Sequence, residues 1–172
     1  MKRLASLSRR ILAYQIEALR DLKHNYNCLS GALVMVQAKS IRIPSVEDHP
    51  VFREGLATIL GSRQDMLIVA QPSNAVDAVA EFRHHRHFVA LMDVHLPGTN
   101  GTDALIAIRG EFPQACIIML TTSDSDGEIQ RTMRAGSSAC ILKSMPKDEL
   151  LNVVRAVHSG RRNMRRGHNS AM

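Results

Sequence analysis

From residue 41 onward the chain predicts a doubly wound α/β fold built on five parallel strands. Short apolar runs alternate with segments of helical periodicity, the pattern of repeated βαβ units. The run 115–120 is apolar throughout, as suits a strand covered on both faces rather than one half in water. Asp93 closes another such run and is followed by the turn Leu96-Pro97-Gly98. Open α/β sheets bind ligands just beyond such strand ends.

The elements follow in order. Residues 41–46 are expected as strand β1. Pro50 fits the first position of helix α1, where its missing N–H is no loss and its φ is already helical. Phe52, Leu56, Ile59 and Leu60 continue α1 at helical spacing until Gly61. Residues 66–70 give β2, and 75–83 give α2 with Val76, Val79 and Phe82. Residues 88–93 give β3, and α3, carrying Leu105 and Ile108, starts after Asn100-Gly101. Residues 115–121 give β4, 127–135 a largely polar α4 stopped by Gly136, and 138–143 β5. Helix α5 opens near Ser144 and Pro146 and has Asp148 and Glu149 in its first turn, where carboxylates suit the dipole. Leu150, Leu151, Val154 and Val157 form its apolar stripe, and Gly160 ends it. With right-handed crossovers these units give a flavodoxin-like sheet of order 2-1-3-4-5, in which β1 and β3 are neighbours at the switch point.

Composition bounds the rest. The 172 residues are 45% apolar but only 3% aromatic, so the core must be aliphatic side chains and Met. The net charge of +6 sits at the ends: residues 1–40 hold seven Lys/Arg and two acids, and 161–172 hold four Arg and no acid. The centre, with eleven bases and fourteen acids, is mildly acidic, which argues against a basic nucleic-acid-binding face. The expected organisation is an extension over 1–39, a domain over 40–160 and a basic, solvated tail over 161–172. An extra helix is expected in the extension, with Leu4, Leu7, Ile11, Leu12, Ile16, Leu19 and Leu22 on one face. It is either idle or a helix for a partner or a membrane surface. Cys28, Cys116 and Cys140 are odd in number and lack CxxC spacing, as befits reduced thiols. No run has transmembrane length, and Arg9-Arg10 interrupt any signal-peptide core, so a cytoplasmic location is expected.

Glu47 and Asp48 follow β1, Asp93 ends β3 and Lys143 ends β5. The switch point would thus gather three carboxylates and one ammonium, the composition of a magnesium-dependent phosphoryl-transfer site. Taken singly, an Asp after a strand is a turn or cap residue and a Lys at a strand end is solvated; the ordered set is what carries the chemistry. His84, His85 and His87 have no second ligand cluster and read most simply as cations at a helix C-terminus. His49 reads as part of the turn before Pro50. No Ser/His/Asp order, Walker loop or dinucleotide glycine motif is present.

The stretch from about Ser40 to Gly160 resembles the receiver domain of two-component response regulators, especially receivers joined to LuxR-type (NarL-type) helix-turn-helix domains. The matching residues are Val46-Glu47-Asp48-His49-Pro50-Val51-Phe52-Arg53-Glu54-Gly55-Leu56, Leu91-Met92-Asp93 with Leu96-Pro97-Gly98, Thr121-Thr122, Ala135-Gly136 and Leu142-Lys143. The resemblance implies that Asp93 is a phosphoacceptor served by a histidine kinase or phosphotransfer protein. It implies a Mg²⁺ ion held by Asp48 and Asp93, by Glu47 through water and by the backbone carbonyl of His95. Lys143 would pair with Asp93 and later with a phosphoryl oxygen. Thr121 would take another phosphoryl oxygen and shift the surface of α4 and β5.

On this reading the chain is a self-phosphorylating and self-dephosphorylating signalling switch in a phosphorelay, not a metabolic enzyme, and a homodimer is compatible with it. Residues 161–172 have no apolar periodicity for a helix-turn-helix, so direct sequence-specific DNA binding by this chain is not expected. The rival readings are a truncated DNA-binding transcription regulator and a phosphorylation-independent receiver used as an interaction module. A small-molecule phosphohydrolase is weaker, because Asp93-Val94-His95 lacks the second Asp such enzymes use. Four departures from the family pattern stand out: Pro44 inside β1, Ser45 beside it, Glu47 for the commoner Asp, and Cys140 where many receivers carry an aromatic residue.

Overall fold

The computed structural model describes residues 40–85, 89–161 and 164–166. The chain divides into two compact units, Met1–Gln37 and Ala38–Met172. The helix expected in the extension, together with Cys28, His87 and Phe88, lies outside the described residues.

Strands and helices alternate without exception: β1 (Ile41–Val46), α1 (Pro50–Gly61), β2 (Met66–Ala70), α2 (Ala75–His85), β3 (Val89–Asp93), α3 (Gly101–Glu111), β4 (Cys116–Thr121), α4 (Asp126–Arg134), β5 (Ala139–Leu142), α5 (Lys147–His158) and β6 (Met164–Arg166). The sheet order is β2-β1-β3-β4-β5-β6, with every neighbouring pair parallel. The expected order 2-1-3-4-5 is therefore present, with one addition. Part of the tail expected to be solvated forms β6 and pairs with β5, Cys140 facing Arg165. A three-residue strand at a sheet edge needs backbone donors and acceptors rather than apolar periodicity, so its side chains gave no signal. Gly160, at φ 93°, supplies the left-handed turn that ends α5 ahead of it.

Pro44 lies in β1 as expected, and the ladder adapts to it. Ile43 faces Ile68 while Pro44 faces Ala70, so Val69 is left over as a bulge in β2. The missing N–H falls where pairing with β2 is already irregular, and β1 then pairs with β3 through Ser45 and Val46.

The core has two halves, one on each face of the sheet. Ile41, Ile43, Leu91, Ile118, Leu120 and Ile141 pack with Leu56 and Leu60 of α1 and Leu151, Val154 and Val157 of α5. Val46, Ala90, Met92, Ile117, Met119 and Cys140 pack with Phe82 of α2, Leu105 and Ile108 of α3 and Ile129 of α4. Successive residues thus alternate between the two faces, as strand geometry requires. Helix α3 begins with Asn100 as its N-cap, whose side chain accepts the Thr102 N–H at 2.8 Å. Gly101, the first residue of α3, is tightly constrained: a Cβ there would overlap the carbonyl oxygen of Asp93.

Candidate functional site

Strand parity decides which side chains meet. Glu47 continues the alternation of Ile41 and Ile43, Asp93 that of Val89 and Leu91, and Lys143 that of Ala139 and Ile141; all of these precede them on the face covered by α1 and α5. The three side chains therefore emerge on one side, at the C-terminal ends of neighbouring strands. Lys143 Nζ donates to Asp93 Oδ2 at 2.8 Å and to Glu47 Oε1 at 3.0 Å, and lies 2.8 Å from Glu47 Oε2. Glu47 and Asp93 are 0% and 1% exposed, so this ammonium sits between two buried carboxylates. Burial pulls the Lys143 pKa down, but the hydrogen bonds and charges of Asp93 and Glu47 together outweigh it and hold the pKa above the ordinary lysine value. The Phe52 ring of α1 lies under the same ammonium, 4.8 Å from centroid to Nζ.

The loops complete the cluster. His95 donates its backbone N–H to Asp93 Oδ1 at 3.1 Å, fixing the carboxylate that Lys143 holds from the other oxygen. His49 donates its backbone N–H to Glu47 Oε1 at 3.1 Å, and its ring Nδ1 stands 3.0 Å from Asp48 Oδ1 and 3.3 Å from Glu47 Oε1. Arg53 ties α1 to the end of β1 through the Glu47 carbonyl at 3.3 Å. Glu47, Asp48, His49 and Asp93 can each offer a ligand atom with all four within 4.8 Å of one another. His49, read from sequence as a turn residue, is thus part of the cluster. Its position before a helix-starting proline masked that role.

The donor set suits a hard divalent cation. Three carboxylates face one ammonium, and Asp48 Oδ1 is buried with no hydrogen bond, the His49 ring being near in distance but not aligned. Glu47 Oε2 is likewise buried and close to the ammonium without an aligned hydrogen bond. An oxygen such as Asp48 Oδ1 is costly to bury unless a cation comes to it. An open cleft of ≈ 630 Å³, lined by His49, Phe52, Ile59, Met145 and Leu150 among others, adjoins Lys143 and gives access from solvent.

Thr121 makes no hydrogen bond to these groups. Its parity is that of Ile117 and Met119, on the α4 side of the sheet, and it is fully buried. Its hydroxyl donates to Glu128 Oε1 of α4 at 3.1 Å and accepts the Ser123 N–H at 3.0 Å. Glu128 also lies 3.6 Å from His95 Nε2. Sequence reading missed Glu128 because an acidic residue in a first helical turn is explained by the helix dipole alone. Cys140 packs in the core, where burial, partly offset by a hydrogen bond to Thr132, pushes its thiol pKa up. His84 and His85 end α2, and no other cluster of ligating side chains occurs among the described residues.

Residues 43–155 match the family described as the response regulator receiver domain. The transcriptional regulatory protein LnrK of Bacillus subtilis (strain 168) is 31% identical over 120 residues, covering 70% of this chain and 54% of that protein. The oxygen regulatory protein NreC of Staphylococcus aureus (strain JH9) is 33% identical over 121 residues, 70% of this chain and 56% of its own length. The chain thus spans about half the length of the curated relatives it matches. A crystal structure of a LuxR-family two-component response regulator from Aurantimonas sp. SI85-9A1 superimposes with a TM-score of 0.70 at 31% identity, over 73% of this chain and 89% of that one. Strand order, clustered strand-end carboxylates and these likenesses converge: the chain belongs to the response regulator receiver domains of two-component systems, with a solved relative of the LuxR family.

Proposed function

We propose that Asp93 accepts a phosphoryl group from a phosphohistidine of a histidine kinase or phosphotransfer protein, and that the chain is a signalling switch rather than a metabolic enzyme. The observation that carries this reading is the single ammonium of Lys143 bonded to both Asp93 and Glu47. In the transfer an Asp93 carboxylate oxygen bonds to phosphorus as the P–N bond of the phosphohistidine breaks. The electron pair of that bond returns to the imidazole nitrogen, which takes up a proton on leaving or soon after. Such a transfer depends on positioning and charge compensation more than on covalent help.

The chain's own groups supply both. The His95 N–H and the Lys143 ammonium fix the Asp93 carboxylate from its two oxygens, so the nucleophile is oriented before a donor arrives. Lys143 then follows the negative charge onto a phosphoryl oxygen. Asp48 and Asp93 would hold a Mg²⁺ ion directly, Glu47 through water and His95 through its backbone carbonyl. When bound, the ion supplies positive charge that compensates the phosphoryl oxygens. Thr121 would take a further phosphoryl oxygen, which requires its hydroxyl to turn away from its present partner. The setting is the cytoplasm, where histidine kinases present their phosphohistidines, and no helix among the described residues is long and apolar enough to cross a membrane. The output is the control of transcription, by analogy with relatives named as transcriptional regulators.

The test is incubation with acetyl phosphate and Mg²⁺, followed by intact-mass and peptide analysis of wild type and Asp93→Asn. The expected outcome is one phosphoryl adduct, labile to hydroxylamine and absent from the variant. An adduct of equal yield in Asp93→Asn, or none in wild type, would overturn the assignment.

A further inference from the structure

The Thr121 hydroxyl has one proton to donate, and the proton is already committed. It goes to Glu128 Oε1 at 3.1 Å, with the Ser123 carbonyl a longer second acceptor at 3.5 Å. The same oxygen also accepts the Ser123 N–H at 3.0 Å. Around this hydroxyl the chain from β4 into α4 is tied down. Ser125 N–H donates to Ser123 Oγ at 3.2 Å, and Thr132 Oγ1 reaches the Glu128 carbonyl at 3.3 Å. The Glu128 side chain is only 18% exposed, so water competes weakly for the bond.

We propose that Glu128 is a positioning residue that holds the Thr121 hydroxyl turned toward α4 and away from Asp93, opposing phosphorylation. This rests on the reading of Asp93 as the acceptor. A phosphoryl oxygen and the Glu128 carboxylate compete for one hydroxyl proton, so Thr121 can serve one of them at a time. When the phosphoryl group wins, Glu128 loses its donor and the first turn of α4 loses its tie to the end of β4. The cost of breaking that bond is part of the cost of forming the phosphorylated state, and the freed helix turn is part of its output. His95, 3.6 Å from the same carboxylate oxygen and two residues after Asp93, gives Glu128 a second partner toward which it can move.

The experiment compares the full chain with Glu128→Ala, Glu128→Gln, Thr121→Ala and the double variant Thr121→Ala/Glu128→Ala. The rate of the Asp93 adduct is read by mass spectrometry with acetyl phosphate as donor. Glu128→Ala is expected to accelerate the adduct by roughly 3- to 10-fold, from the net worth of one such hydrogen bond. Glu128→Gln, which keeps an acceptor but not the charge, falls between Glu128→Ala and wild type. In the Thr121→Ala background the Glu128 substitution has no further effect, because the competing proton is gone. Mg²⁺ affinity, read from the thermal shift, is unchanged in Glu128→Ala, which a general disturbance of the site would not leave intact. Should Glu128→Ala fold poorly, Glu128→Gln carries the comparison alone. An Asp93 adduct that forms no faster in either Glu128 variant than in wild type, or equal acceleration with and without Thr121, overturns the inference and leaves Asp93 as the acceptor. No adduct in wild type removes the acceptor reading, and this inference with it.

Discussion

The main chains of Gly101 and Asp93 approach so closely that no side chain fits between them: a Cβ on Gly101 would overlap the Asp93 carbonyl oxygen and lie 3.2 Å from Val94 Cα. The Gly101 N–H also donates to the Val94 carbonyl at 2.9 Å, docking the start of α3 on the end of β3. Helix propensity alone would favour Ala over Gly here by up to about 1 kcal/mol. Steric overlap with backbone has the opposite sign and is larger. Gly101→Ala should therefore lose about 1–3 kcal/mol of stability in urea unfolding, as overpacking does. It should also slow adduct formation at Asp93, because the strand end that must move carries the acceptor. A variant as stable and as reactive as wild type would contradict this.

Removing the ammonium should expose the carboxylate pair. In Lys143→Met, Glu47 and Asp93 stay buried without their shared cation. Breaking a buried pair costs about 3–5 kcal/mol where the remaining charge cannot relax. The loss should be largest in EDTA and smaller in millimolar Mg²⁺, where a cation can replace the ammonium. Urea unfolding in the two buffers checks this, and equal losses in both would count against a cation site at these carboxylates.

Magnesium should stabilise the folded wild type, by about 1.4 kcal/mol for each tenfold rise in concentration above the dissociation constant. Asp48→Asn should lose most of that response while remaining folded, since Asp48 is partly exposed and its Oδ1 has no hydrogen bond to lose. Thermal melts across a magnesium titration give the answer. An undiminished shift in Asp48→Asn would place the ion elsewhere.

A surface pair makes a pH prediction. Arg155 of α5 bonds Asp65, just before β2, at 2.7 and 3.1 Å. The hydrogen bond from Arg155 outweighs slight burial and holds the Asp65 carboxyl below its usual range. A carboxylate whose folded pKa is depressed contributes stability above its unfolded pKa, and loses it as pH falls through the folded value. Asp65→Asn should therefore cost up to about 1 kcal/mol at pH 7, the ceiling for exposed pairs. The difference from wild type should shrink as pH falls below about 4. A difference constant from pH 7 to pH 2 would assign the effect to something other than charge.

Most of the fold was legible because parallel strands and amphipathic helices differ in period. The extents 41–46 for β1 and 66–70 for β2 agree with the strands found, α1 runs from Pro50 to Gly61 as expected, and other boundaries, such as the end of α2 and the start of β4, differ by one or two residues. Glu47, Asp93 and Lys143 could be brought together on paper because strand order and parity fix both neighbours and faces. Thr121 shows the limit of that reasoning. A motif places it at the end of β4, but parity turns it to the α4 side, and its partner Glu128 is set by a loop conformation that periodicity does not encode. Pro44 departs from the family pattern inside an inner strand, and one extra residue in β2 absorbs it. His49 was obscured by its neighbour Pro50, and β6 by the absence of any side-chain pattern in three residues.

The strand at Met164–Arg166 changes what one flank of the sheet offers to other molecules. Without it, the outer side of Ala139, Cys140 and Ile141 would present unused amide and carbonyl groups to any extended chain in solution. With those groups engaged, another chain can pair with the β5 backbone only after the short segment peels off. Access to that backbone is thus governed by the chain's own segment after α5.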